Sequence, residues 1–287
     1  MMHIGPYTID VIETGRFALD GGAMFGVVPK PLWERAYTQA DTRNRIPMAA
    51  KALLLRSESH TILVDTGNSP FMHSKLLDIY GIDFATYHIE QSLSRLGVRA
   101  EDVTDVILTH LHFDHAGGAV TRNAEGESVP RFPNAWYHVQ KEHFDWAGAP
   151  TEKDRASFMP EMYLPLVDHG RLQLLDGPGE IFPMIHVELA FGHTTALQTV
   201  RVSDGTSTVF YPADLIPTGA HIGIAYGMGY DNFPLTTMAE KKVLVPVIID
   251  EQWTVVFEHD ALRQAAGIVM GDRGPMLGPD VTITDVA

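Results

Sequence analysis

The chain has 287 residues, 45% of them hydrophobic and 20% charged, so a substantial core can form and no long polar tract argues for disorder. Its 36 acidic against 21 basic side chains give a formal charge of -15, which repels a phosphate backbone and speaks against nucleic acid as a partner. There is no cysteine, which excludes disulfides, thiolate nucleophiles and sulfur-ligated metals together; any metal must be held by nitrogen and oxygen.

In chain order, the first twenty residues carry Asp10, Glu13 and Asp20 and lack a basic start followed by an apolar run, so no signal peptide is expected. Strands are predicted at residues 7–13, 52–55, 61–64, 103–109 and 136–139, with helices at 71–80, 88–96 and 152–158 between or after them. Further strands are predicted at 184–189, 199–202, 208–211 and 254–257, the middle pair joined by a hairpin at Asp204-Gly205, whose residues tolerate positive φ. A helix at 236–249 should be shortened or kinked by Pro246. The apolar run 243–249 is too short to span a bilayer, so the expectation is a soluble, cytoplasmic protein with no membrane partner. No repeat or Gly/Ser linker divides the chain, and the reading is one α/β layered domain over residues 1–287.

Residues 106–118 carry the most chemistry: an apolar strand runs into His110-Leu-His112-Phe-Asp114-His115-Ala-Gly-Gly118. Alternate side chains of an extended backbone face one way, so His110 and His112 can share an ion. Asp114 and His115 are adjacent, and the chain must turn there to aim both at a second ion; Gly117 and Gly118 suit that turn and close packing behind it. Taken alone, such a histidine pair is as well explained by a solvated loop. His193, Asp214 and His259 add weight, because each follows an apolar strand, and ends of neighbouring strands converge on one sheet edge.

The order His110-x-His112-x-Asp114-His115, then His193, Asp214 and His259, resembles the metallo-β-lactamase superfamily. The resemblance implies a four-layer αββα sandwich and two divalent ions, zinc by default, with manganese, cobalt or iron compatible with the same donors. It also implies that His110, His112 and His193 hold one ion, that Asp114, His115 and His259 hold the other, and that Asp214 bridges them together with a shared water or hydroxide. Two ions less Asp114, Asp214 and a hydroxide leave a net charge of about +1 where an anionic intermediate forms. A purely structural zinc site would instead close its shell with four protein ligands. Asp65, in Asp-Thr-Gly, matches the aspartate that in this superfamily orients a ligating histidine; the rivals are a turn-forming aspartate or an aspartic-protease motif, which would need a second copy that the chain lacks.

Within the superfamily the chain looks most like the N-acyl homoserine lactone lactonases and organophosphate hydrolases, through residues 19–26, 111–118 and 212–217. That likeness implies a small-molecule lactone or ester substrate, with phosphotriesters, or a non-catalytic metal-dependent binding role, as alternatives. Relatives often dimerise near the active site, so a homodimer is expected on the same ground. Two departures stand out. The usual Gly-His-Thr-Pro-Gly-His continues here as Thr194-Thr195-Ala196-Leu197, and Pro217 occupies the place of the lactonase tyrosine three residues after the bridging aspartate. Catalytic roles are expected for Asp114 and Asp214, with His221, Tyr226 and Tyr230 as replacements for the missing tyrosine. An apolar trough is expected from among Met24, Phe25, Trp33, Phe113, Tyr226 and Met228, most of which are expected to be core, since aromatic and Met residues more often pack than line a pocket.

Overall fold

The computed structural model describes residues 2–85 and 88–284. Two seven-stranded sheets organise it. In spatial order the first contains Met2–Ile4, Tyr7–Asp20, Arg45–Arg56, Thr61–Val64, Asp105–Ile107, Trp136–Gln140 and Leu172–Leu175. The second runs Gly179–Phe182, Ile185–Ala190, Leu197–Ser203, Thr208–Tyr211, Thr254–Val256, Ala265–Gly271 and Gly274–Val281. Both open with three antiparallel pairings and then turn parallel, at Thr61–Val64 with Asp105–Ile107 and at Thr208–Tyr211 with Thr254–Val256.

Alternation along the strands builds the layers. Ile9, Val11, Leu53, Leu55, Ile62 and Val64 face the second sheet and meet Val187, Val200, Val202, Val209 and Val256 in one buried core. Their neighbours Ile12, Ala52, Leu54 and Leu63 face the other way and pack with Leu93, Ala147 and Leu166 of the helices Ile89–Arg95, Lys141–Gly148 and Leu164–Asp168. The helix Pro234–Asp250 packs Val245 and Ile248 against the second sheet, beside the strand Ala265–Gly271. This is the α/β sandwich that the strand pattern implied.

Several elements differ from the sequence reading for identifiable reasons. The strand predicted at 7–13 continues to Asp20, because a register shift between Glu13 and Gly15 absorbs the break in alternation. The helix predicted at 152–158 reduces to the single turn Arg155–Ser157, whose segment is organised by Asp154 accepting from Thr151 and Trp146. Pro246 does not shorten its helix. It lies on the exposed face, where the carbonyl released at Lys242 can be hydrated. The last two strands escape a pattern-based reading because Gly267, Gly271, Gly274, Pro275, Gly278 and Pro279 look like loop; Gly274–Val281 is an outer strand, where proline is tolerated. No helix among the described residues is long and apolar enough to cross a membrane.

Candidate metal centre

The chain leaves Asp105–Ile107 and reaches His110 and His112 before the short helix Phe113–Ala116 turns Asp114 and His115 toward the same point. That helix packs tightly on the turn after Thr61–Val64: a Cβ at Gly117 would lie 2.5 Å from Ser69 N, and one at Gly118 would lie 2.2 Å from Thr66 O. Asp214 and His259 follow the other parallel pair, Thr208–Tyr211 and Thr254–Val256, and His193 lies between Ile185–Ala190 and Leu197–Ser203. Three residues at this edge, Asp65, Ala196 and Ala213, take left-handed φ values of 59°, 53° and 48°. Such backbone is costly for a side chain larger than glycine and marks places where the surrounding fold dictates the turn.

All seven proposed ligands meet. His112 Nδ1 lies 3.0 Å from His110 Nε2 and 3.2 Å from His193 Nε2, and Asp214 Oδ2 is 3.1 Å from His193 Nε2 and 3.7 Å from His110 Nε2. On the other side His115 Nε2 and His259 Nε2 are 3.1 Å apart, with Asp114 oxygens 3.9 Å and 3.6 Å from them. Asp214 reaches both groups, its Oδ2 lying 3.4 Å from His115 Nε2 and its Oδ1 3.2 Å from His259 Nε2. One imidazole nitrogen cannot serve two others with a single proton, whereas a cation serves all three. Nitrogens bonded to one tetrahedral ion lie about 3.3 Å apart, close to the spacings here. Asp214 Oδ1 is buried and has no hydrogen-bond partner among the described residues, so the donor set fits a pair of N/O-ligated ions.

Behind the ligands lies a ring of orienting groups. His115 Nδ1 is 3.1 Å from Asp65 Oδ2, and Asp65 also accepts from the Thr109 amide and hydroxyl. His193 Nδ1 meets Asp231 Oδ1 at 3.1 Å, and His259 Nδ1 donates to the Ala49 carbonyl at 3.0 Å. His143 accepts from the Leu111 amide through Nε2 and donates to the Thr195 carbonyl through Nδ1, tying the two ligand-bearing loops together. Burial pushes His143 down to about 4, so it performs this task as a neutral ring. Buried Lys51 donates to the carbonyls of Phe257, Asp260 and Arg263 and so pins the loop that carries His259. Asp231, His143 and Glu258 do not stand out in the sequence, because nothing local distinguishes a buried polar residue of this kind from a turn or surface one.

Burial and the neighbouring imidazoles hold His110 and His112 well below the ordinary histidine value, leaving neutral rings with lone pairs to offer. His193 and His259 go the other way. Burial opposes their charged forms, but the Asp214 carboxylate and those of Asp231 at His193 and Glu258 at His259 carry each up to about 9. Ion binding at these two nitrogens must therefore displace protons.

A cavity of about 50 Å³ opens on the centre, lined by Leu19, Met24, Tyr80, Phe113, Ser157, Met228 and Tyr230 together with His112, Asp114, His193, Asp214 and His259. Met24 and Phe113 thus stand where the trough was expected, and so does Met228. Phe25 does not: it is fully buried, stacked on Trp33 at 5.5 Å and on His221 at 4.6 Å, which makes it and Trp33 core residues. The expected catalytic part for His221 is corrected for the same reason. Its Nε2 donates to the Met24 carbonyl at 2.8 Å and its Nδ1 is engaged by Thr218 Oγ1 at 2.7 Å, so it fastens the loop and has no nitrogen for substrate. Tyr226 is also outside the lining; its carbonyl is held by Lys241 and its ring packs edge-on to Phe25. Tyr230 does line the cavity, beside Tyr80, whose ring stacks on Phe113 at 4.7 Å.

Residues 45–259 match the family model of the metallo-beta-lactamase superfamily. The chain is 26% identical to an N-acyl homoserine lactonase of Bacillus thuringiensis over 221 residues, which is 72% of this chain and 79% of that protein. A probable metal-dependent hydrolase from Staphylococcus aureus superposes with a TM-score of 0.89 at 27% identity, covering 100% of both chains. The dizinc quorum-quenching lactonase AidC, solved with its product, superposes at 0.80 with 21% identity over 98% of this chain and 96% of that one, a likeness of fold. With two seven-stranded sheets, the candidate ligand loops on one edge and a family match over most of its length, the chain belongs to the metallo-β-lactamase superfamily.

Proposed function

We propose that this protein is a dinuclear metal-dependent hydrolase that opens a neutral lactone or related ester, with N-acyl homoserine lactones as the expected substrate class. The observation that carries the reading is the position of Asp214, whose two oxygens lie 3.1–3.4 Å from imidazoles of both ligand groups. When bound, two divalent ions supply Lewis acidity there, making a water nucleophilic near neutral pH and offsetting the charge of an oxyanion. Zinc is the default occupant, and manganese, cobalt or iron suit the same donors.

The chain's own residues do the rest. Asp114 and Asp214 hold negative charge against the cations, and the ring of Asp65, Asp231 and the Ala49 carbonyl fixes the imidazoles that surround them. No lysine or arginine is among the described residues lining the cavity, so no side chain there pairs with an anionic substrate, while Leu19, Met24, Phe113 and Met228 suit an acyl chain. At about 50 Å³ the space holds little more than water, and the flexible thioethers of Met24 and Met228 are the side chains that can yield to a ligand. Tyr230, with its hydroxyl kept protonated by burial and by the nearby Asp114 carboxylate, is the hydrogen-bond donor we assign to the substrate in place of the residue replaced by Pro217. The Bacillus lactonases support the lactone assignment by their similarity over most of the chain.

The test is ring opening of N-hexanoyl homoserine lactone by protein loaded with two equivalents of zinc, followed as acid release, beside paraoxon hydrolysis. Lactone opening should be the faster reaction. Paraoxon turnover that outpaces it would move the assignment to phosphotriesters, and inactivity across lactones, esters and phosphotriesters at full occupancy would leave a metal-dependent binding protein.

A further inference from the structure

Glu258, between the strand Thr254–Val256 and the ligand His259, is a fully buried carboxylate for which the ligand scheme has no use. Its Oε2 lies 3.0 Å from His115 Nδ1, as close as Asp65 Oδ2 at 3.1 Å, yet that nitrogen has one proton to give. Asp65 lies in line to accept it and has the Thr109 amide and hydroxyl besides. Neither oxygen of Glu258 has a hydrogen-bond partner among the described residues. The nearby Tyr211 hydroxyl donates to the Lys51 carbonyl at 2.9 Å, and the Lys51 ammonium is taken up by three backbone carbonyls.

A buried carboxylate without a donor keeps its charge only where positive charge lies close by, and otherwise takes up a proton. The charge available at that place is the cation proposed for Asp114, His115 and His259, on the far side of the same imidazole. The other ligand group has no such pair of carboxylates: His110 Nδ1 faces the Thr109 hydroxyl at 3.1 Å, His112 Nε2 has no partner among the described residues, and His193 has Asp231 alone.

We propose that Glu258 is a positioning residue that makes the Asp114–His115–His259 site the more anionic of the two, so that it selectively tightens the hold on that ion. This rests on the dinuclear reading above. With a cation bound there, the His115 ring would be polarised and its Nδ1 proton more positive, and Asp65 and Glu258 together, rather than one carboxylate, would stabilise the ring.

The test compares wild type with Glu258→Gln, which keeps the shape and removes the charge. Metal-free protein is titrated with zinc against a chromophoric chelator, and crystals grown at one equivalent locate the ion by anomalous scattering. The variant should keep one ion at the His110–His112–His193 group and bind the other about 10- to 100-fold more weakly than wild type. Unchanged affinities overturn the proposal. So does equal weakening of both sites, which a merely structural role would give. Should the variant fail to fold, the wild-type crystal with both ions decides: Glu258 still against His115 Nδ1 supports the proposal, and a carboxylate turned away overturns it. Wild type that takes up fewer than two ions would bring down the dinuclear reading itself, an outcome separate from any behaviour of the variant.

Discussion

The two walls of the cavity are built on different terms. On the metal side nearly every functional side chain is held from behind: His115 by Asp65, His193 by Asp231, His259 by the Ala49 carbonyl and His110 by Thr109. On the facing side Met24, Met228, Tyr80 and Tyr230 come from loops and short helices whose backbone is tied, as where Lys153 holds the Gly229 and Tyr230 carbonyls, while the side chains meet mainly apolar surface. One wall fixes geometry to within a few tenths of an ångström because charge stabilisation falls steeply with misplacement; the other fixes only shape and polarity. Reaction type therefore resides in the first and substrate choice in the second. Asp231 belongs to both, since Oδ1 meets His193 and Oδ2 accepts from the Met228 amide.

Changes on the rigid wall should have the larger consequences. Asp214→Ala removes the carboxylate shared by both ligand groups, and turnover by the metal-loaded enzyme should fall about 1,000-fold or more, with loss of one bound ion by elemental analysis. Activity that survives this change would break the bridging assignment. Asp231→Asn keeps an acceptor near His193 but removes its charge, so metal affinity should weaken about 10-fold, together with a change in acyl-chain preference because Met228 loses its anchor. Were only one of the two properties to move, Asp231 would not join the walls. Met228→Ala acts on the pliable side alone: KM for long acyl chains should rise about fourfold for each substrate methylene that the truncated side chain leaves uncovered, with bound metal unchanged. Loss of an ion in that variant would erase the distinction between the walls.

The smallest effect is on pH dependence and concerns the rigid wall without its ions. The folded-state values of His193 and His259, about 9, stand above the ordinary 6.5. A raised value contributes stability that is fully present below about 6.5 and is lost as pH rises through about 9. Thermal melts of metal-free protein should accordingly fall across pH 6.5–9, while the loaded protein, with those protons displaced, should show little change. A metal-free melting temperature that climbs over this window would contradict the assigned protonation.

The candidate ligands are legible because metal chemistry admits few residue types, and those types recur at strand ends: His110 and His112 by alternation, Asp114 and His115 by the turn, His193, Asp214 and His259 by their apolar approaches. The groups behind them are mostly not legible. Asp231 lies 38 residues from the histidine it orients, and His143 joins two loops from a helix 32 residues beyond Leu111. Phe25 and Tyr226 read as pocket residues in the sequence since aromatic composition is the same in a core as in a trough; His221 reads as catalytic, and only packing shows that it has spent both nitrogens on Thr218 and Met24.

By itself the sequence determined most of the strands through alternation, the absence of sulfur ligands, and seven candidate donors, all of which are local or compositional properties. Tertiary structure decided the rest: which carboxylate lies behind which imidazole, that Glu258 is buried without a donor among the described residues, and which apolar side chains face the cavity. These depend on the meeting of segments tens to hundreds of residues apart, and no local pattern encodes the distance at which two such segments come together.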